Sequence, residues 1–215
     1  MAHFIYLHGL ASGPNSQKAT AFKKIFCSLD LHLHIPDLEK GSFENLTISS
    51  QFKMVKSIIN KYPNEPFGLI GSSLGGYLAA LVAELCPEVV AAYLMAPAFG
   101  FLKRWREKID QKYGVEKFPE FIDIFHFRYN ENRTLNTKIF KDAELWESVI
   151  LQRELPLRIV HGSKDESVPV YESKEISKNR PNINFSELDS DHGLLSHLDW
   201  IINDCICFFR KERLV

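Results

Sequence analysis

Short, nearly continuous apolar runs alternate along the chain with longer amphipathic stretches. The runs HFIYL, FGLIG, VVAAYLM and LRIVH offer no polar face, the pattern of strands covered on both sides in a parallel sheet. Strands are expected near residues 2–7, 31–35, 67–71, 89–95, 156–161 and 183–188. Between them apolar residues recur with helical period over 16–29, 45–61, 74–86, 169–179 and 196–211. Strand and helix alternate without internal repeat. This predicts an α/β fold, a doubly wound, mostly parallel sheet of about six strands with its sites at the strands' carboxyl ends.

One connection breaks the rhythm. About sixty residues separate the strand ending near Met95 from the one starting near Pro156, too many for a single crossover. This insert, at about 99–154, holds Phe99, Phe101, Trp105, Tyr113, Phe118, Phe121, Phe125, Phe127 and Tyr129, and its IDIFHFRY stretch alternates like a strand. Most of these aromatics are expected to form the small core of the excursion itself. Phe99, Trp105 and Phe121 are the candidates for the wall of an apolar acyl pocket. No Pro/Gly/Ser-rich linker divides the chain, so residues 1–215 read as a single domain carrying an insert or small cap.

Composition narrows the function classes. Lys plus Arg (26) nearly cancels Asp plus Glu (27), leaving a net charge of -1 and no footprint for nucleic acid. The local cluster Lys103, Arg104 and Arg106 reads as a solvated helix face. The first ten residues lack the basic n-region of a secretory signal, and the apolar stretch 77–95 is broken by Glu84, Pro87 and Glu88. Cys27, Cys86, Cys205 and Cys207 lie among apolar residues of expected helices and read as buried small hydrophobes in a reducing compartment. Cys205 and Cys207, two apart, point to different helix faces. A soluble, cytoplasmic protein without membrane partner is expected, its oligomeric state left open.

The chemistry concentrates in Gly71-Ser72-Ser73-Leu74-Gly75, directly after one apolar run and directly before a helical one. A Gly-x-Ser-x-Gly turn between strand and helix is a nucleophile elbow: the serine occupies a strained position packed so tightly that its neighbours must be small. Gly71, Gly75 and Gly76 supply that space. A glycine-rich turn that only packs helix on sheet is the plain alternative. Ser73 needs a base and an orienting acid from later strand ends, in the order serine, acid, histidine. Asp165 in LRIVHGSKDESVP and His192 in SELDSDHGLL stand at those two positions. Asp189 and Asp191 are nearer His192 in sequence, but a carboxylate in the same loop rarely turns back to the histidine Nδ1. In the His8-Gly9-Leu10 loop, Gly9 lets the backbone turn, so that Leu10 and Leu74 could donate their backbone N–H groups to an oxyanion.

The remaining histidines carry less. His8 is expected to shape its loop and His161 to pack or hydrogen-bond locally. His32 and His34 share one face of a strand, yet two isolated ligands are a weak metal signal. His3, His126 and His197 give none. No metal or cofactor is implied near Ser73.

YLHGLASGPNSQKA, GLIGSSLGGYLAA, VHGSKDESVP and DHGL together resemble the small bacterial YqiA-like esterases of the α/β-hydrolase superfamily. The resemblance spans most of the chain and implies an α/β-hydrolase fold, a triad of Ser73, Asp165 and His192, a cytoplasmic setting and no cofactor. The function expected is hydrolysis of carboxylic esters of small to medium acyl groups through an acyl-enzyme on Ser73. An acyl-thioesterase or protein deacylase with the same triad is the alternative, and a non-catalytic binding protein on a hydrolase scaffold comes third. The partner is then a small-molecule acyl ester or thioester.

Overall fold

A computed structural model describes residues 2–114 and 118–215. Six strands, β1 (His3–Leu7), β2 (Leu33–His34), β3 (Phe67–Ser72), β4 (Val89–Met95), β7 (Leu157–Gly162) and β8 (Ile183–Leu188), form one sheet in the order β2-β1-β3-β4-β7-β8. Every pairing in it is parallel. The remaining two strands belong to the insert. Along β1, Phe4 and Tyr6 enter one hydrophobic cluster while Ile5 and Leu7 enter the other, so the two-residue period buries both faces and only His3 at its start is polar.

Helices α1 (Gln17–Ser28) and α7 (Leu198–Lys211) cover the Phe4 and Tyr6 face, with Phe22, Phe26, Ile201, Cys205 and Phe209 fully buried or nearly so. The Ile5 and Leu7 face is covered by α2 (Ile48–Ile59) and α3 (Leu74–Leu85). Thr47 starts α2 with a reciprocal capping pair to Ser50, and Ser16 accepts from the Ala19 N–H at the start of α1. α6 (Val170–Ser177) lies between β7 and β8. From β1 the chain runs to β2 on one side and later to β3 on the other. The loops after β1 and β3 therefore diverge at a topological switch point.

The insert folds as α4 (Phe101–Tyr113), an antiparallel hairpin of β5 (Phe121–His126) and β6 (Glu131–Asn136), and α5 (Lys138–Glu147). Phe101, Trp105 and Phe140 pack together with ring centroids 5.6 to 6.3 Å apart, but as an extension of the core on the Ile5 and Leu7 face. Phe118, Phe121, Phe125, Phe127 and Tyr129 are exposed, so most of the insert's aromatics do not form the separate small core expected of them. Two further expectations are corrected. Cys27 and Cys207 are exposed because each falls on the outer stripe of its helix, while Cys86 and Cys205 are buried. Arg104 is no solvated charge: it pairs with Glu172, which also accepts the Gly100 N–H at 2.9 Å and ties the start of α4 to α6. Among the described residues no helix is long and apolar enough to cross a membrane.

Candidate active site

Ser73 sits between β3 and α3 at φ 56° and ψ −121°. A non-glycine residue there costs on the order of 1–3 kcal/mol, and the turn survives because its surroundings fix it. The Ser73 N–H donates to the Met95 carbonyl at 2.9 Å, and its carbonyl accepts from Gly76, Tyr77 and Ala98. A Cβ on Gly71 would collide with the Gly75 carbonyl, and one on Gly75 with the backbone of Leu7 and His8. The flanking glycines are thus required by backbone-to-backbone contact. Gly9 serves the same end from the other side, since a Cβ there would lie 3.2 Å from Ser73 Cβ. Its backbone is not left-handed; the positive φ in that loop falls on Ala11 (φ 54°).

Ser73 Oγ donates to His192 Nε2 at 2.9 Å, and His192 Nδ1–H donates to Asp165 Oδ2 at 2.7 Å. His192 follows β8 and Asp165 follows β7, as the strand-end argument requires. Asp165 is fully buried and saturated: Oδ1 accepts the Ser167 and Val168 N–H groups at 2.9 and 2.8 Å, and Oδ2 also meets His161 Nε2 at 3.1 Å. Burial alone would raise its carboxyl. The hydrogen bonds from His161 and His192 more than reverse that and hold it well below the ordinary carboxylate range. The rival acids are engaged elsewhere. Asp189 is exposed and pairs with Lys164 at 2.6 Å, and Asp191 accepts the Leu194 N–H at 3.1 Å.

The backbone N–H groups of Leu10 and Leu74 have no protein acceptor among the described residues. Leu74 opens α3, where the helix dipole adds to its donor strength. His8 shapes the Leu10 loop as expected: buried, it accepts the Leu38 N–H on Nε2 at 3.1 Å, and burial lowers its pKa.

A cavity of about 920 Å³ opens over Ser73 and His192, lined among others by Tyr6, Leu10, Lys18, Phe127, Tyr129 and Leu195. Phe99, Trp105 and Phe121 are not among its walls, because Trp105 packs against Phe101 and Phe140 and Phe121 faces solvent. The insert's aromatics that reach the cavity follow β5, where Phe127 donates its N–H to the Ala11 carbonyl at 2.9 Å and docks the hairpin on the loop after β1.

Lys18 has a place in this site that the sequence did not indicate, and His161, expected to hydrogen-bond locally, does so against the acid itself. Lys18, inside the Ser-x-Lys-Ala motif, extends its ammonium to the Gly193 carbonyl at 2.9 Å, next to His192. Burial lowers it to about 8, against the opposing pull of Asp191 and Asp165. A lysine at helical spacing on an otherwise apolar stripe was the available signal. His161 is buried completely, and its Nδ1 meets Ser173 Oγ at 2.8 Å while Nε2 reaches Asp165 and the Val168 carbonyl. It extends the chain of hydrogen bonds one step behind Asp165. Among the described residues the only His, Cys, Asp or Glu group with metal-ligand spacing is His3, His32 and His34, at the far end of the strands.

The sequence profile of the uncharacterised protein family UPF0227 matches residues 3–209. The chain is 29% identical over 192 residues to the mitochondrial palmitoyl-protein thioesterase ABHD10 of Bos taurus, covering 80% of this chain and 60% of that protein. It is 28% identical over 191 residues to the Homo sapiens protein of the same name, with the same coverage. The chain thus spans about three fifths of the length of these curated relatives. Among solved structures, Est1E from Butyrivibrio proteoclasticus with bound ferulic acid superposes with a TM-score of 0.83 at 18% identity, covering 98% of this chain and 89% of that one. Mouse ABHD10 superposes with a TM-score of 0.79 at 22% identity, covering 97% and 90%. The fold these structures share with the chain is that of the α/β hydrolases.

Proposed function

The chain belongs to the UPF0227 family and has the α/β-hydrolase fold, and from that premise we propose that it is a hydrolase that cleaves carboxylic esters of small to medium acyl groups through an acyl-enzyme on Ser73. The observation that carries the reading is the unbroken hydrogen-bond chain from Ser73 through His192 to Asp165, opening into a cavity. Ser73 Oγ attacks the acyl carbonyl while His192 Nε2 takes its proton. Asp165 holds the imidazole in the tautomer with Nδ1 protonated and stabilises the imidazolium that forms. The oxyanion rests on the N–H groups of Leu10 and Leu74. His192 then protonates the leaving group, and a water activated by the same imidazole releases the acid and restores Ser73.

A second reading, thioester cleavage or protein deacylation, has its own support. The curated relatives are palmitoyl-protein thioesterases by name, and the same constellation attacks either carbonyl. The cavity, with apolar Leu10, Phe127 and Leu195 among its walls, is large enough for a medium acyl chain. A panel of p-nitrophenyl esters and acyl-thioesters of graded chain length, run beside Ser73→Ala, separates the two. Activity that persists in Ser73→Ala, or a fluorophosphonate adduct on Ser72 in place of Ser73, refutes both.

A further inference from the structure

We propose that His3, His32 and His34 form a binding site for a divalent cation of the zinc type, at the end of the sheet opposite Ser73. The site is built by strand pairing. β2 has only two residues, and its register on β1 sets Phe4 beside Leu33 and Ile5 beside His34. Neighbouring parallel strands share their pleat, so His3, His32 and His34, all one step out of phase with Phe4 and Leu33, emerge on the same face. The ring centroids lie 5.5 Å apart for His3 and His32, 5.7 Å for His3 and His34, and 4.3 Å for His32 and His34. One ring nitrogen from each lies within 4.8 Å of those of the other two.

The independent observation is what these rings lack. His3 is buried, with Nε2 3.0 Å from Glu65 Oε2, which makes Nε2–H the donor and leaves a lone pair on Nδ1. That Nδ1 is buried without a hydrogen-bond partner, and so is Nε2 of His34. Buried polar atoms of a packed core normally find partners. Two orphaned imidazole nitrogens in one three-histidine cluster point to an acceptor of lone pairs. Glu65 behind His3 reproduces the carboxylate–histidine arrangement that fixes tautomer and ring orientation in metal sites. Tyr62 and Phe67 close around His3, with centroids 4.0 and 5.3 Å away, and give the cluster an apolar shell.

Neutral imidazoles suit zinc, copper, nickel or cobalt. Metal–nitrogen bonds of about 2.0–2.1 Å in a tetrahedral site bring ligand nitrogens to about 3.4 Å from one another, a closure that side-chain rotation of the exposed His32 supplies. Three histidines leave the fourth position to water. Five residues of β1 separate the cluster from the catalytic loop, roughly 17 Å at strand rise, so the cation touches no reacting atom. Its effect is to clasp the short edge strand β2 to β1.

The test uses the full chain, first stripped with chelator. Calorimetric titration with Zn²⁺ is expected to give one ion per chain, and Co²⁺ the visible absorption of a tetrahedral site, displaced by Zn²⁺. His32→Ala and His34→Ala, at positions exposed or half-buried so that circular dichroism stays native, should each weaken Zn²⁺ at least tenfold. Fluorophosphonate labelling of Ser73 should be unchanged in both. A Cys27→Ser/Cys207→Ser double variant, which removes the exposed thiols, should bind as the parent does. The proposal is overturned if no saturable Zn²⁺ binding is found, if either histidine variant binds as tightly as the parent, or if the cysteine variant abolishes binding.

Discussion

At Ser73 a left-handed backbone, two glycine contacts and a hydrogen bond to His192 act on one residue, and the strain is balanced by the bonds that Ser73 makes to β4 and the segment after it. The acid behind it is equally over-determined. Asp165 accepts two backbone N–H groups and two imidazoles, so replacing it by asparagine keeps the shape and reverses one donor. An amide facing His192 Nδ1 favours the tautomer with the proton on Nε2, where it no longer accepts from serine. Asp165→Asn is therefore expected to fold by circular dichroism and to lose kcat by on the order of a thousandfold or more. Asp189→Asn and Asp191→Asn should lose far less; a large loss at either, with little at 165, would reverse the assignment. Lys18 acts one step away. Its ammonium holds the Gly193 carbonyl and with it the His192 loop, so Lys18→Met should lower kcat about tenfold to a hundredfold with little change in KM and slow fluorophosphonate labelling to match. Lys18→Arg should recover part of that loss, and an unchanged labelling rate in Lys18→Met would assign the lysine to substrate binding. That Ser73, Asp165 and His192 meet was legible in the sequence, because each is fixed by its place relative to a strand end. Lys18 was not, since its partner lies 175 residues away and only the fold aligns the two, whereas His161 hydrogen-bonds locally as expected, its partner Asp165 being 4 residues on.

The elements of the insert show where local pattern stops informing. β5 is visible as an alternating stretch and the start of α4 as the charged helix face at 103–106, but the extent of α4 and the whole of α5 are not, because α4 interleaves three aromatics with charges. The aromatic density of the insert was real, and the choice among its rings was not available from periodicity. Phe99, Trp105 and Phe121 are spaced no differently from Phe127 and Tyr129. What separates them is the turn after β5, where Asn130 at φ 55° reverses the chain and sets Phe127, Arg128 and Tyr129 over the cavity. Tyr129 is held there between Arg128 and Arg133, the latter 3.7 Å from its ring centre. Phe127→Ala and Tyr129→Ala should thus shift the preference among acyl lengths, read as the ratio of kcat/KM for short and long p-nitrophenyl esters, while Ser73 still labels. Trp105→Ala should lower the melting temperature and leave that ratio alone. A changed ratio in Trp105→Ala, with none in the hairpin variants, would return the acyl wall to α4.

For the whole molecule the hydrophobic pattern was sufficient to fix a doubly wound parallel sheet, because burial of both faces leaves few polar positions in the central strands, Arg158 and His161 of β7 being exceptions. The pattern was weakest at the edge, where residues 31–35 shrink to the two-residue β2 that pairs only with β1. It also gave no view of how the insert docks on the sheet. That docking is apolar where Phe101, Ile122, Leu135 and Phe140 join the core on the Ile5 and Leu7 face, and polar against residues 37–44. Arg128 pairs with Asp37 at 2.7 Å, Asn136 donates its N–H to the Glu44 carbonyl at 2.8 Å, and the buried Glu39 and His126 face each other at 2.8 Å. Burial, with the Asp37 charge beside it, pushes Glu39 up to about 7, and burial with Arg133 and Arg128 nearby pulls His126 down. Below about pH 7 the glutamate thus keeps its proton, and that proton closes the 2.8 Å contact between Glu39 Oε2 and His126 Nε2. An acid whose pKa rises on folding contributes stability fully below its unfolded value of about 4.3 and loses it as pH rises through about 7. Glutamine at that position keeps a donor and cannot ionise. Comparing melting temperatures of Glu39→Gln and the parent between pH 5 and pH 8, the variant should gain steadily on the parent as pH rises, by on the order of 1–3 kcal/mol or several degrees. The background titration of every other group cancels in the difference. A difference that is flat, or that falls with pH, would mean that Glu39 is already ionised throughout this range and accepts the Nε2–H of a neutral His126, so that the uptake of a proton plays no part in holding the insert to residues 37–44.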